Sequence, residues 1–448
     1  MSFTLLAIYA CGDDGATGDV PDERADAGLV DGAKTAPEGS SSLDQFVPTQ
    51  ELPGASIALG DGFGCIVAAD HTVYCWGRND FGQLGSDPAK TPSCGSYPCT
   101  PTPVKVEGLK DVVSITAGKD FACALDGARH GWCWGNNSRQ QIAGRKGETS
   151  RFTPEIVTDG TARIVASGQH ACILDTDGFL HCWGDNDCKL FGDDKSDAGT
   201  LGVVELVTPQ AKWMSLGPDS MCTVTAETSE IYCWGADHKG SLGHPLPSNA
   251  GKCANSGATF DPSPKRWVSD KLGHILTGAE EVHVGAAVIC AKKTDGTVLC
   301  AGDNSHGGLG QGVSDNDTHD VPLEVPAVKA AKLVVAGETA CSVVADKLLC
   351  WGDARYGQLV TGGPNTDCGG TGCRPLGVVL EDQSGLRDVA LSAGGIATIK
   401  NDLSVWVWGR NDSGQTGVAP SDAINATCAG GVKCIGPTHQ MPNVPPLE

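Results

Sequence analysis

A Trp-Gly pair recurs along this chain at Trp76, Trp134, Trp183, Trp234, Trp351 and Trp408, and Ala301-Gly302 takes the same place once, which makes seven copies. Successive copies lie 49 to 67 residues apart. That period holds one four-stranded sheet with its turns and exceeds most two-helix solenoid units. Seven small sheets closed into a ring share a core that none could build alone, so the expected fold is all-β, a seven-bladed β-propeller.

Each copy carries two Cys about a turn: Cys65 with Cys75, Cys123 with Cys133, Cys172 with Cys182, Cys222 with Cys233, Cys290 with Cys300, and Cys341 with Cys350. A span of nine to eleven residues centred on turn formers such as Asp177-Gly178 sets the two side chains opposite each other on neighbouring antiparallel strands, within reach of a disulfide. The seventh copy has Ala397 and Val407 at both positions. The cysteines therefore come and go as pairs. Three further close pairs fall in longer loops, Cys94 with Cys99, Cys368 with Cys373, and Cys428 with Cys434, and Cys188 and Cys253 are left in equivalent loops of neighbouring copies, placed to bridge them.

Twenty-one Cys without Cys-x2-Cys knuckles or Cys/His clusters point to an oxidising compartment rather than to a metal site. Residues 1–11 form a short apolar stretch ending at Cys11, similar to the tail of a bacterial lipoprotein signal, although the positive n-region is missing. Lipidation of Cys11 would leave an even number of Cys and supply the only membrane contact. Residues 12–50 hold nine acidic and two basic residues with almost nothing apolar to bury, so they are expected to be a flexible tether. The propeller then occupies 51–448. A net charge of -22 disfavours nucleic acid as a partner, since phosphate neutralisation supplies most of that affinity.

Each copy runs from a β-rich segment such as Val113–Gly118 through the Cys hairpin to Trp-Gly, and then into an Asn/Asp and Gly turn such as Asn79 to Gly82. These turn residues tolerate left-handed backbone. Both chain ends offer a Pro-Val strand, at 46–48 and at 437–444, either of which would complete the sheet at the ring's junction.

The stretch from Cys65 to Gly85, with its Cys-Trp-Gly-x-Asn-x-x-Gly-Gln-Leu-Gly core, resembles the repeat of the regulator of chromosome condensation family. The resemblance covers 51–448 and implies a seven-bladed propeller. It also implies two kinds of activity, guanine-nucleotide exchange on a small GTPase and inhibition of a secreted enzyme, as in a bacterial relative that inhibits β-lactamases. Neither transfers residue by residue: the family's His before the hairpin survives as His170, with Phe121, Ser220 and Thr339 at the matching places. Bacterial members with paired Cys look like secreted or surface forms, which places this chain at the cell envelope, as an outer-membrane lipoprotein or secreted.

No phosphate-binding loop, His-Glu-x-x-His or Gly-x-Ser-x-Gly motif is present, and Gly307–Gly312 is the ordinary turn of the fifth copy. No catalytic residue and no cofactor is expected. Asp193-Asp194 and Asp315–Asp317 read as solvated turns rather than Ca²⁺ loops. The anchor Trp residues are expected to pack between blades, and Trp132, Trp213, Trp267 and Trp406 to sit in the core. Four long loops, 86–103, 244–266, 360–377 and 418–437, leave the copy at the same register, so a ring gathers them on one side. This is the expected binding surface of a non-enzymatic, monomeric scaffold for a protein or glycan partner. The loops at 86–103 and 360–377 carry only Asp87, Lys90, Asp367 and Arg374 as charges, so neutral contacts are expected to dominate, with Tyr97 a candidate anchor.

Overall fold

The computed structural model describes residues 56–447 apart from 95, 143–146, 192–199, 207, 360–371, 423, 429–430 and 437–438. Seven antiparallel sheets follow one another along the chain. Blade 2 shows the plan: the inner strand Val112–Ala117, the second strand Phe121–Asp126, the third strand Gly131–Asn136 and the outer strand Ser150–Thr158 pair in sequence order. The second strands are buried on both faces, which is why they read as apolar runs rather than alternating ones. Among the described residues no helix is long and apolar enough to cross a membrane.

Between blades lie seven cores, five of which join the Cys pair of one blade to the anchor Trp of the next; Ala301 replaces that Trp between blades 4 and 5, and Ala397 with Val407 replaces the Cys pair between blades 7 and 1. Cys65, Cys75 and Leu84 of blade 1 pack with Trp134 of blade 2, and Cys341, Cys350 and Leu359 of blade 6 pack with Trp408 of blade 7. Six fully buried Trp also donate the indole N–H to a carbonyl in the turn of the preceding blade. Trp134 reaches Gln83 O at 3.0 Å, Trp183 reaches Gln141 O at 2.7 Å, and Trp76 of blade 1 reaches Gln415 O of blade 7 at 2.8 Å. Trp234, Trp351 and Trp408 repeat the bond to Leu190, Gly308 and Gln358. The packing role expected of these residues is thus joined by a ring of directional bonds.

Blade 5, with Ala301, has a substitute. Trp267, from just beyond the outer strand of blade 4, is fully buried with Leu242 and Ala301. A Cβ on Gly243 would come within 2.5 Å of its ring, as one on the equivalent Gly310 would come within 3.1 Å of Trp351. Its volume is replaced but its bond is not: Trp267 Nε1 has no hydrogen-bond partner among the described residues. Trp213 is buried as expected, whereas Trp132 and Trp406 are half-buried and only line their cores.

The Gly of Trp-Gly persists in all seven blades for a steric reason. It has φ of 97° to 116°, and a Cβ there would meet the carbonyl of the residue before its own second strand, at 2.4 Å from Gly62 O for Gly77 and 2.1 Å from Glu338 O for Gly352. The third-to-outer-strand register shifts at this residue in blades 1 to 4 and in blade 6. The following Asn acts otherwise than expected. None of Asn79, Asn137, Asn186, Asn304 and Asn411 is left-handed; each accepts through Oδ1 from the backbone N–H five residues on, as Asn79 does from Leu84 N at 3.0 Å. The left-handed backbone falls on Gly82, Gly240, Gly307, Gly357 and Gly414 instead.

Every blade is one continuous stretch of chain. At the junction the inner strand of blade 1 is Ile57–Leu59, and the fourth strand of blade 7 is Lys433–Ile435, with a bridge from Trp406 to Gln440. The last residues then cross the seam: Met441 and Leu447 are buried with Ile57, Ile66 and Trp76 of blade 1, and Ala69 N donates to Pro446 O at 2.9 Å. Of the two terminal segments, the C-terminal one supplies this latch, and 46–48 lies outside the described residues.

Candidate functional site

In every blade the chain rises along the inner strand, turns, descends, turns again and rises to Trp-Gly, so the first turn and the long loop after Trp-Gly emerge on one face. Backbone bonds fix this face seven times over. The residue after Trp-Gly donates its N–H to the carbonyl of the residue before the second strand, from Arg78 to Gly62 at 2.8 Å through Asp353 to Glu338 at 3.1 Å. Rigid strands therefore set which side chains ring the mouth of the central channel, a cavity of about 550 Å³ bordered by Gly60, Gly118, Gly168, Gly285, Gly337 and Gly394.

The ring is unevenly charged. Blades 7 and 1 contribute Arg410 and Arg78. Arg410 holds Asp412 through Nε and Nη2 at 3.0 and 2.6 Å and reaches Asp61 of blade 1 at 3.3 Å. Arg78 pairs with Asp80, and its guanidinium lies 4.5 Å above the ring of Tyr97. Acidic groups dominate the other blades. Arg355 grips Asp353 at 2.9 Å, Lys239 meets Asp303 at 3.1 Å, and His306 meets Glu338. Burial pushes the carboxyls of Asp120 and Asp185 up to about 6, with Arg78 and Arg139 pulling the other way, and burial raises Asp219 as well. This face therefore presents fixed ion pairs in a net acidic setting.

Inner-strand residues of successive blades form a second charged belt. The Arg163 guanidinium stacks 3.8 Å over Trp213, and Trp213 donates to Val282 O at 2.8 Å. Burial alone would raise the Glu281 carboxyl, but His283 at 3.1 Å and Lys292 at 2.8 Å hold it down to about 2. Lys332 pairs with Asp388, which accepts from Ser56 N at 2.9 Å.

The disulfides sit where the spacing put them. All six hairpin pairs form with Cα atoms 4.1 or 4.2 Å apart, and Cys94–Cys99, Cys428–Cys434 and the interblade Cys188–Cys253 form too. Cys373 is bonded, while Cys368 and Cys11 lie outside the described residues. Three long loops fold back as short hairpins on their own blade, through Ser93–Cys94, Gly251–Lys252 and Ala426–Thr427.

Of the expected contact residues, Tyr97 is 43% exposed at the site, propped on Arg78. Asp87 is a helix cap: it accepts from Ala89 N at 3.0 Å ahead of a 3₁₀ turn, Pro88–Lys90, where Lys90 is exposed. Arg374 is buried on the strand Cys373–Ser384 opposite Gly352, and Asp367 lies outside the described residues. Outside the loops 86–103 and 360–377, the same face also carries Arg78, Arg410, Asp61 and Asp120. A signal for them was present: Trp-Gly-Arg-Asn-Asp occurs at 76–80 and again at 408–412, in repeats that become neighbours only on closure.

Among the described residues one group has metal-ligand proximity, Asp187 with Cys188 and Cys253. Both sulfurs are spent in the disulfide and Asp187 accepts from Ala254 N and Asn255 N, so it is a loop brace. Asp315 is likewise occupied by Asn304, His319 and Asp317 N. Asp193 and Asp194 lie outside the described residues.

Comparison with known proteins agrees with this architecture. The Regulator of chromosome condensation (RCC1) repeat matches residues 70–125, and a second form of the repeat matches 55–83 and 162–189. The chain is 26% identical over 367 residues to human E3 ubiquitin-protein ligase HERC2, covering 79% of this chain and only 7% of that protein. It is 24% identical to the Ultraviolet-B receptor UVR8 of Arabidopsis thaliana, across 82% of this chain and 79% of the receptor. It is 26% identical to the mouse Secretion-regulating guanine nucleotide exchange factor, across 65% and 64%. In structure it is similar to Prp20p of Saccharomyces cerevisiae, with a TM-score of 0.65 at 16% identity over 83% of this chain and 86% of that one. Human WBSCR16 gives 0.62 at 18% identity, over 78% and 90%. Seven blades, six of them anchored by Trp-Gly, the turn that closes on its own Asn and the repeat matches within 55–125 and 162–189 together mean that the chain carries regulator of chromosome condensation repeats.

Proposed function

We propose that this propeller is a non-enzymatic binding module that captures a protein partner on the face bearing the long loops, and that a lipid on Cys11 and the acidic tether 12–50 hold it at the cell envelope. The observation that carries the proposal is the stapling of that face: Cys94–Cys99, Cys428–Cys434 and Cys188–Cys253 each tie a loop. A loop fixed before contact loses less entropy when it binds. Two relatives named above, a ligase and an exchange factor, act on other proteins, which supports a protein partner over a glycan. The ion pairs around Arg78 and Arg410, with Tyr97 above them, offer the mixture of Arg and aromatic groups that interfaces favour. The test is crosslinking in the native envelope of wild-type protein and of a variant with the loops 86–103 and 418–437 cut to the length of the third repeat's. Loss of the crosslinked partner from the folded variant is expected, and an unchanged crosslink would move the site to the rim or the opposite face.

A further inference from the structure

The loop 244–266 borders an open cavity of about 850 Å³ beside blade 4, outside the ring of charges described above. Two polar side chains that line it are nearly inaccessible and incompletely bonded. His244 is 5% exposed; its Nδ1 donates to Pro245 O at 3.3 Å, so in the neutral ring Nε2 is an acceptor, and nothing among the described residues donates to it. Asp261 is 3% exposed; Oδ1 accepts from Ser263 N at 3.0 Å, and Oδ2 is buried without a donor. Leaving such atoms unbonded costs free energy, and native proteins keep few of them.

Leu246, Pro247, Phe260 and Ile275 make the rest of the wall largely apolar. The cavity is also held open in advance. Cys188–Cys253 ties the loop to blade 3, the Asp187 carboxylate accepts from Ala254 N and Asn255 N at 2.9 and 2.8 Å, and Gly251 pairs with Phe260 across a short hairpin.

We propose that this cavity binds a primary alkylammonium group, either of a free alkylamine or of a partner's lysine side chain. Two buried acceptors, one of them a carboxylate oxygen, are complemented by a cationic N–H donor, and the apolar wall by its aliphatic stem. Two cations also line the cavity and limit what fits. Arg266 is committed to Tyr232 Oη at 2.8 Å and Glu230 at 3.3 Å, whereas Lys265 is exposed and sets a positive charge at the rim. A ligand with a single positive charge is therefore preferred to a diamine. The site lies in one of the loops of the proposed binding face but does not rest on that reading, because a free amine fills it without any protein.

The test is a titration of the full-length protein with n-butylammonium chloride, followed by the imidazole nitrogen signals of His244, which are assigned through His244→Gln. A saturable shift is expected, with affinity about tenfold or more lower in Asp261→Asn, as befits a lost charged hydrogen bond. 1,4-Diaminobutane should bind more weakly than n-butylammonium. No saturable shift in the wild-type protein, or equal affinity in folded Asp261→Asn, overturns the proposal; should that variant fail to fold, His244→Gln followed by calorimetry makes the same comparison. A lysine-containing tetrapeptide that binds, and loses binding on Nε-acetylation, assigns the site to a partner's side chain. Binding of the free amine without the peptide assigns it to a small amine.

Discussion

A single indole N–H separates two otherwise similar buried tryptophans. Trp134 bonds Gln83 O across a blade boundary, whereas Trp267 fills the same kind of groove with its Nε1 unbonded. Phe in place of either removes similar bulk, so the difference between the two substitutions isolates the bond. Trp134→Phe should cost about 1 kcal/mol more than Trp267→Phe in urea unfolding. Asp120 tests electrostatics at the same scale. Its folded carboxyl titrates near 6, above the ordinary 3.8, so the fold favours the protonated form, and the cost of ionising it grows from about pH 4 and is complete above about pH 6. Asp120→Asn should therefore stabilise the protein at pH 7.5 by on the order of 1 to 2 kcal/mol, with the gain gone at pH 4 in thermal melts. Single residues of this kind were only partly legible in sequence. The Trp repeat announced itself, but the surroundings of Asp120 include Arg78 from another blade, a neighbour that only ring closure supplies.

Blades and hairpins were the most legible level, because Cys pairs and Trp-Gly sit at fixed register in local antiparallel pairs, where spacing maps directly onto contact. The long loops were less so: their folding into outer-edge hairpins follows from pairing with a strand already present, which composition does not reveal. Blade 7 shows that a hairpin holds without its staple, with Ala397 facing Val407 where other blades have the disulfide. Cys123→Ala with Cys133→Val copies that solution into blade 2 and should leave a folded protein less stable by about 2 to 3 kcal/mol at most. Removing Cys188–Cys253 closes no short hairpin but frees a loop of 65 residues, so Cys188→Ala with Cys253→Ala should cost more, up to about 4 kcal/mol. Paired denaturant titrations rank the two; a larger loss from the hairpin pair would contradict the chain-entropy account.

At the scale of the whole molecule, seven sheets and their closure were foreseeable from the count of repeats, but the seam was not, since two terminal segments had equal claims to it. The side chains of Met441 and Leu447 decided the matter by burying against Ile57 and Trp76. The proposed attachment to the envelope also concerns the whole molecule. If a lipid on Cys11 is the anchor, Cys11→Ser should move the protein from the membrane pellet to the soluble fraction, because the acyl chains carry the membrane affinity. Unchanged fractionation would remove the lipid from the proposal.

Each blade is one unbroken stretch of chain, with a hairpin face on one side, lined by a Cys pair in six of the seven, and an anchor residue for its neighbour on the other. A genetic duplication or crossover that begins and ends between blades therefore transfers a complete wedge with both of its mating surfaces, and no other blade must donate a strand to receive it. Recombination can shuffle such wedges as units. Their differences can then accumulate in the outer hairpins, each of which pairs with its own blade.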